Sequence, residues 1–474
     1  MKIPGLKAVA LGLLLSASPL TFAPALAQAS FTDVDRTSSA RVNFQSAESG
    51  KPILAGAPVK VTGDGFKAGQ QVTLLYGKTP LPGGNFSADA DGKIEGQINV
   101  PANAVSGVFP ILVVADAPYA ATIAELKVSP TIPLSGEKAY KVTQAHTAKG
   151  VYQSAYSAKT NTLFTTSAQG RPPVTNSELV KLDAKTLKVL ARTTPDVAPT
   201  PARSDGAPAA EPQKPGLYAV YGIGLDDAKG TVWVTNTRQD TVAVYNQADL
   251  KLIKQFPPKT VNHARDVVVD ADQGKAFSSA TLTPVVKVFD TATLAPPTDI
   301  HIRSKVRGGE FSAASLSYNP AAHLLYVVSH TTDEVAVINT KTDKVEKLFP
   351  VPGAKSSIGV SHDPQTGRIF VAAQGTDNLI VLDGNDGKVI ADTPIGAGAL
   401  NVVFDPVKRR AYVSNRGAST IAVADADGKL VANLGPAPTA NHVALGKNGT
   451  IYAVNRSSAT TGEDTDRIMV IQPR

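Results

Sequence analysis

The chain has 474 residues, a formal net charge of +7 and no cysteine. That length leaves room for two domains and a large core, while the absence of cysteine excludes disulfides, thiolate metal sites, a lipoprotein anchor and covalent haem attachment. The positive balance is mild for such a chain; it reads first as solubility and permits an anionic partner.

Residues 1–27 read as a secretory signal. Lys2 and Lys7 supply the positive start, Ala8 to Leu15 the apolar core, and Ala25-Leu26-Ala27 a small-residue cleavage site. The apolar run is too short and too broken by Ser and Pro to span a bilayer, and no later stretch is long enough, so no membrane insertion is expected. The expected location is the periplasm, with full secretion as the alternative. Residues 28–50 are polar and read as an extension leading into a first strand.

Residues 51–130 predict a small antiparallel β-sandwich. Val59/Val61, Val72/Leu74, Ile94/Ile98 and Phe109/Ile111/Val113 alternate with period two, and Gly63-Asp64-Gly65 and Asp89-Ala90-Asp91-Gly92 supply turns. Gly63, Gly65 and Gly69 lack the spacing and the following helix of a dinucleotide fingerprint, so they read as turn glycines. The stretch VTGDGFKAGQQVTLLYG, followed by DADGKIEGQINVP, resembles the Ig-like modules of bacterial exported proteins.

After a linker at 131–136, residues 137–474 carry a repeat. Its clearest copy is VWVTNTRQDTVAVYN, from Val232 to Asn246; others begin at Ala276, Leu325, Ile369 and Ala411. In these five copies an aromatic and a closing Asp or Asn stand 13 residues apart, and looser copies start at Phe164 and Tyr452. The aromatics Phe164, Trp233, Phe277, Tyr326, Phe370, Tyr412 and Tyr452 recur mostly every 40 to 49 residues, the period of propeller blades. The gap from Phe164 to Trp233 is 69 residues. Its excess lies in the proline-rich stretch 194–216, which reads as an extended loop. The last copy ends without a fourth strand, and residues 138–143 are expected to supply it. Asp383 to Gly387 resembles the start of a calcium loop, but Pro394 stands where an acidic ligand is required.

VWVTNTRQDTVAVYN and AYVSNRGASTIAVAD resemble the YVTN-type repeat, and 137–474 resembles exported YncE-like seven-bladed propellers. The resemblance implies an all-β chain, a seven-bladed β-propeller behind an Ig-like β-sandwich. It also implies a non-catalytic binding or scaffold role in the bacterial envelope, with nucleic acid among the candidate ligands and an envelope protein as another kind of partner.

Counting 11 residues back from each aromatic gives one inner-strand position per blade: Gln153, Gly222, Asp266, Ser315, Gly359, Asn401 and Asn441. All are small or polar, which suits a crowded axis or a hydrogen-bonding ring. The candidate ligand-binding residues at the channel mouth are Tyr221, His263, Arg265, Asp266, Glu310, Lys355, Arg416, Asn441, His442 and Arg456. Arginines on a loop rim can grip phosphates, although Glu178, Asp240, Asp333, Glu334, Asp377 and Asp464 on the same loops dilute the field. His, Arg and Glu from adjacent blades also permit an alternative, lactone or ester hydrolysis. The seven histidines form no HxH or HxxxH pair and there is one tryptophan, so no metal and no cofactor is expected.

Overall fold

The computed structural model describes residues 1, 34–199, 215–456 and 466–474. The expected export signal and the body of the proline-rich insertion lie outside them. Among the described residues no helix is long and apolar enough to cross a membrane.

Two antiparallel sheets build the N-terminal module. One orders Arg41–Ser46, Pro58–Asp64 and Ile94–Asn99; the other orders Thr79–Ser87, Gln71–Tyr76, Gly107–Asp116 and Ala120–Val128. The alternating apolar residues of both sheets, among them Val59, Val61, Leu74, Ile98 and Val113, share one buried core. Two strands escape the sequence pattern. Arg41–Ser46 lies within the expected polar extension and offers the core only Val42 and, in part, Phe44. Thr79–Ser87 is disguised by Pro80, Pro82, Gly83 and Gly84, residues that weaken a strand signal.

Seven four-stranded antiparallel sheets follow among the described residues. We number them 1 to 7: residues 151–193, 223–255, 264–301, 313–350, 357–394, 399–434, and 440–473 joined by Tyr140–His146. Their strands are lettered a to d from the first to the fourth. Strands a of successive sheets pack side by side, and that of sheet 7 packs on that of sheet 1, so the sheets close a ring. Tyr140–His146 runs antiparallel along Arg467–Pro473 as strand d of sheet 7, with Tyr140 opposite Pro473 and His146 opposite Arg467. The pairing covers an edge that would otherwise expose free backbone donors and acceptors.

The repeat has a physical cause at both ends. Each recurring aromatic is buried in a core shared by its own sheet and the next: Phe164 with sheet 2, Trp233 with sheet 3, Phe277 with sheet 4, Tyr326 with sheet 5, Phe370 with sheet 6, Tyr412 with sheet 7 and Tyr452 with sheet 1. A large ring at this place fills the wedge between two splayed sheets. The closing Asp or Asn caps the c–d turn. Asp183 Oδ1 accepts from the N–H groups of Lys185 and Thr186, Asp290 Oδ1 from Ala292 and Thr293, and Asn339 Oδ1 from Lys341 and Thr342. This is Asx-turn chemistry.

Candidate functional site at the channel mouth

The ring positions read from the sequence sit on or beside the inner strands, and they bind sheet to sheet. Gln153 Oε1 accepts from Ile223 N (3.1 Å) while its Nε2 donates to Asp266 Oδ1 (2.6 Å); Asp266 Oδ2 accepts from Leu316 N (3.1 Å). Asn401 Oδ1 accepts from Val443 N (3.0 Å), and Asn441 Nδ2 donates to the Tyr152 carbonyl (2.7 Å). Where glycine stands, there is no room: a Cβ on Gly222 would lie 2.1 Å from the Arg265 carbonyl oxygen, and one on Gly359 would lie 2.8 Å from Asn401 Cα. Crowding and hydrogen bonding therefore coexist around the axis. Asp266 and Asn441, two of the candidate ligand residues, are hydrogen-bonded to neighbouring sheets.

The acidic residues of the b–c loops are also engaged. Asp240 Oδ1 accepts from His263 N (2.7 Å), Asp333 Oδ1 from Ser357 N (2.8 Å), Asp377 Oδ1 from Gly398 N (2.7 Å) and Asp466 Oδ1 from Val151 N (3.2 Å). In each case a b–c turn holds the entry to strand a of the next sheet, which puts both loop sets on one face. Glu334 is likewise occupied by Ser304, Lys305 N and Thr332. The backbone before strand a is left-handed at Gly150, His263, Ser356, Gly398 and Thr439. The positive φ of 47° at His263 is thus a feature of the repeat.

On that face the basic side chains remain. Arg416, half-buried at the end of strand b of sheet 6, is held below the ordinary guanidinium range by burial and by the charges of Arg456 and Arg265, with Tyr152 opposing. Among the described residues no carboxylate forms an ion pair with Arg265 or Arg416, and the buried Nε of Arg265 has no hydrogen-bond partner. Arg456 stacks its guanidinium 5.1 Å from the Tyr152 ring centre and donates to the Ala168 carbonyl (3.1 Å). Tyr152 meets Tyr221 edge to face at 4.8 Å, and the Tyr221 hydroxyl accepts from Arg238 Nε (3.4 Å). Burial, only partly offset by the Asp266 charge and reinforced by Arg265, holds His442 down to about 4. His263 is lowered as well, by burial against the pull of Asp240, with Arg238 and Arg265 reinforcing it. Both imidazoles are neutral at neutral pH. Five neighbouring sheets thus contribute to one cationic, aromatic-edged cluster.

The ring of sheets is a β-propeller. No protein-family model matches the chain. It is similar to the uncharacterized protein YncE of Salmonella typhimurium, with 24% identity over 330 residues, 67% of this chain and 85% of the relative. Among solved structures it is similar to Kuenenia stuttgartiensis hydrazine synthase, with a TM-score of 0.54 and 16% identity over 70% of this chain and 97% of the other. It is also similar to a streptogramin B lyase structure, with a TM-score of 0.52 and 11% identity over 71% of this chain and 98% of the other. These likenesses support the propeller and carry no activity to it.

Tyr152 was missed by the sequence reading. It stands one residue before the ring position of sheet 1, where sheets 2 and 3 carry Tyr221 and Arg265. Those three large side chains, set against Ala314, Ile358, Leu400 and Ala440 in the other sheets, were a visible signal.

Two candidates lie outside the cluster. Glu310 is exposed and lines a separate cleft of about 410 Å³ with Arg303, Lys305 and Arg307. Lys355 forms an ion pair with Glu125 of the N-terminal module. That module docks on the mouth face of the propeller, where Lys127 Nζ also reaches Asp377 Oδ1 (2.8 Å) and the Gln374 carbonyl (2.9 Å). On the opposite face Asp270, Asp272 and His323 bring ligand atoms within 4.8 Å of one another. Asp270 there already accepts from Thr340 Oγ1 (2.6 Å) and Gln273 N (3.1 Å).

Proposed function

We propose that this chain is an exported seven-bladed propeller with an Ig-like N-terminal module, and that it binds an anionic ligand at the channel mouth without catalysing a reaction on it. The observation that carries this reading is the half-buried Arg416 set in the charges of Arg265 and Arg456, with no carboxylate ion-paired to Arg265 or Arg416 among the described residues. Like charges brought together under burial cost free energy, and a bound anion offsets that cost. Among the described residues Asp240, Asp333 and Asp377 are turned to backbone N–H groups at the entries to the next sheets and form no ion pair with these arginines. Guanidinium forks suit phosphate and carboxylate oxygens.

Hydrolysis of a lactone or ester is the weaker reading. His442 and His263 are neutral imidazoles, but among the described residues neither is hydrogen-bonded to a nucleophilic side chain. The test is fluorescence anisotropy with a labelled single-stranded oligonucleotide. Combined Arg265→Ala, Arg416→Ala and Arg456→Ala should weaken binding by about tenfold or more per arginine, where tenfold is ~1.4 kcal/mol. Combined substitution of Lys341, Lys344 and Lys408 on the opposite face should change little. Equal losses from both variants would mean diffuse charge and no site.

A further inference from the structure

The a–b turns, on the face opposite the mouth, hold side chains that the arginine cluster does not use. In sheet 5 the turn residue Asp363 accepts from Gln365 N (3.0 Å) through Oδ1, and its carboxylate reaches the next sheet, where Arg409 Nη2 donates to Oδ2 (2.6 Å). Arg409 stands four residues after Asp405, the turn acid of sheet 6, at a left-handed φ of 57°. Sheets 3 and 4 repeat this arrangement with one change. Asp270 Oδ1 accepts from Gln273 N (3.1 Å), and the side chain arriving from the next sheet is His323, four residues after Asn319 and at a φ of 54°. An imidazole is shorter than an arginine side chain. His323 Nδ1 stops 3.5 Å from Asp270 Oδ2, longer than the ~2.7–3.2 Å usual for an N–H···O bond.

A second carboxylate joins them. Asp272, exposed on the same turn as Asp270, brings an oxygen within 4.8 Å of the other two ligand atoms. It forms no ion pair among the described residues, and Lys275 just beyond it is committed to Asp343 Oδ2 (2.7 Å) and the Thr340 carbonyl (2.9 Å). Two carboxylates thus meet one imidazole with no basic side chain bound to either, and like charges that close repel. The Tyr318 hydroxyl, buried beside Asp270, Asp272 and Thr340, makes no hydrogen bond of ordinary geometry. Thr340 Oγ1 donates to Asp270 Oδ2 (2.6 Å), the kind of outer bond that orients a ligating carboxylate.

We propose that Asp270, Asp272 and His323 bind one divalent transition-metal ion of the zinc type, which ties sheet 3 to sheet 4. Ligand atoms held at ~2.0–2.2 Å in a tetrahedral site stand about 3.4 Å from one another. The 3.5 Å between Asp270 Oδ2 and His323 Nδ1 therefore suits two neighbouring ligands of one ion. The imidazole nitrogen favours a borderline ion over magnesium or calcium, which take oxygen ligands. Exposed Asp272 and half-buried His323 give the ion a path from solvent, with water completing its shell. No short motif announces the site, because Asp270 and His323 come from turns 53 residues apart.

The test uses the untagged full chain, stripped with chelator and dialysed against zinc or magnesium at equal concentration, with bound metal counted by elemental mass spectrometry. Wild type should retain zinc and not magnesium, and its unfolding midpoint should rise with zinc and fall back with chelator. Asp272→Asn, which changes an exposed side chain, should weaken zinc retention at least ~tenfold and remove the effect of zinc on the midpoint. His323→Arg copies the Arg409–Asp363 pair, so it should fold, hold sheets 3 and 4 together and ignore zinc. Equal zinc retention by wild type and both variants would place the metal on other side chains and overturn the proposal. A wild type that retains no zinc would overturn it as well, and a His323→Arg midpoint above wild type would then assign the contact to an inter-sheet ion pair alone.

Discussion

Gly222 shows how little space the axis leaves. Adding a methyl group would drive it to 2.1 Å from the Arg265 carbonyl oxygen, a backbone atom that cannot swing away. Gly222→Ala should therefore cost about 1–3 kcal/mol of stability, the range for overpacking, measured by denaturant unfolding; an unchanged midpoint would show that sheets 2 and 3 can separate. Titration gives a second test. Burial holds His362 and His442 down to about 4, against ~6.5 for an unperturbed imidazole. Between those values the unfolded chain takes up protons that the folded chain refuses, so stability is complete above about pH 6.5 and falls as pH drops towards 4. His362, stacked 5.0 Å from Tyr326 and bonded to Ser317 Oγ (2.9 Å), is the simpler probe. Unfolding midpoints of His362→Gln should show a shallower acid slope than wild type; an identical slope would assign the acid sensitivity elsewhere.

At the scale of the element, the outer strand of sheet 7 comes from residues 140–146, far from its partner in sequence. Removing residues 137–143 should expose the edge of Arg467–Pro473 and turn cooperative unfolding into aggregation or a broad transition. Calorimetry of the deletion variant decides this, and an unchanged transition would contradict the closure. The aromatics and turn-capping Asp and Asn were legible in the sequence because each does one local job that recurs, the ring in all seven sheets and the cap in the six that have a c–d turn. Strand Thr79–Ser87 was not, since its prolines and glycines contradict strand propensity and pairing with Gln71–Tyr76 overrides them. The engagement of Asp240, Asp333 and Asp377 was equally hidden. Composition counts a carboxylate as free charge, and only the fold shows the N–H group it accepts from.

At the scale of the whole molecule, two modules meet on the mouth face, and that meeting was illegible because it depends on side chains distant in sequence. Lys127 and Asp377 are 250 residues apart. The linker contributes too: Ser135 pairs with the Asn433 backbone, and Asn433 Nδ2 donates to the Ile132 carbonyl (2.9 Å). A propeller fragment beginning at Ile132 retains these bonds and should fold, with a midpoint a few degrees lower because buried Asp377 loses Lys127. An insoluble fragment would show that the modules share a core.

The arginine cluster was legible only in parts. Arg416 and Arg456 stand at the same distance from their aromatics, but their convergence with Arg265 requires the closed ring. On the proposal that an anion binds here, these charges are held together for the ligand and not for stability. The most direct measurement is the unfolding midpoint of wild type and Arg416→Met, with and without pyrophosphate at constant ionic strength. The account predicts that Arg416→Met alone matches or exceeds the wild-type midpoint, since like-charge repulsion is relieved. It further predicts that pyrophosphate raises the wild-type midpoint and leaves the variant unmoved, because a ligand bound to the folded state stabilises it by mass action. A variant that is less stable than wild type, yet responds to pyrophosphate equally, would contradict it.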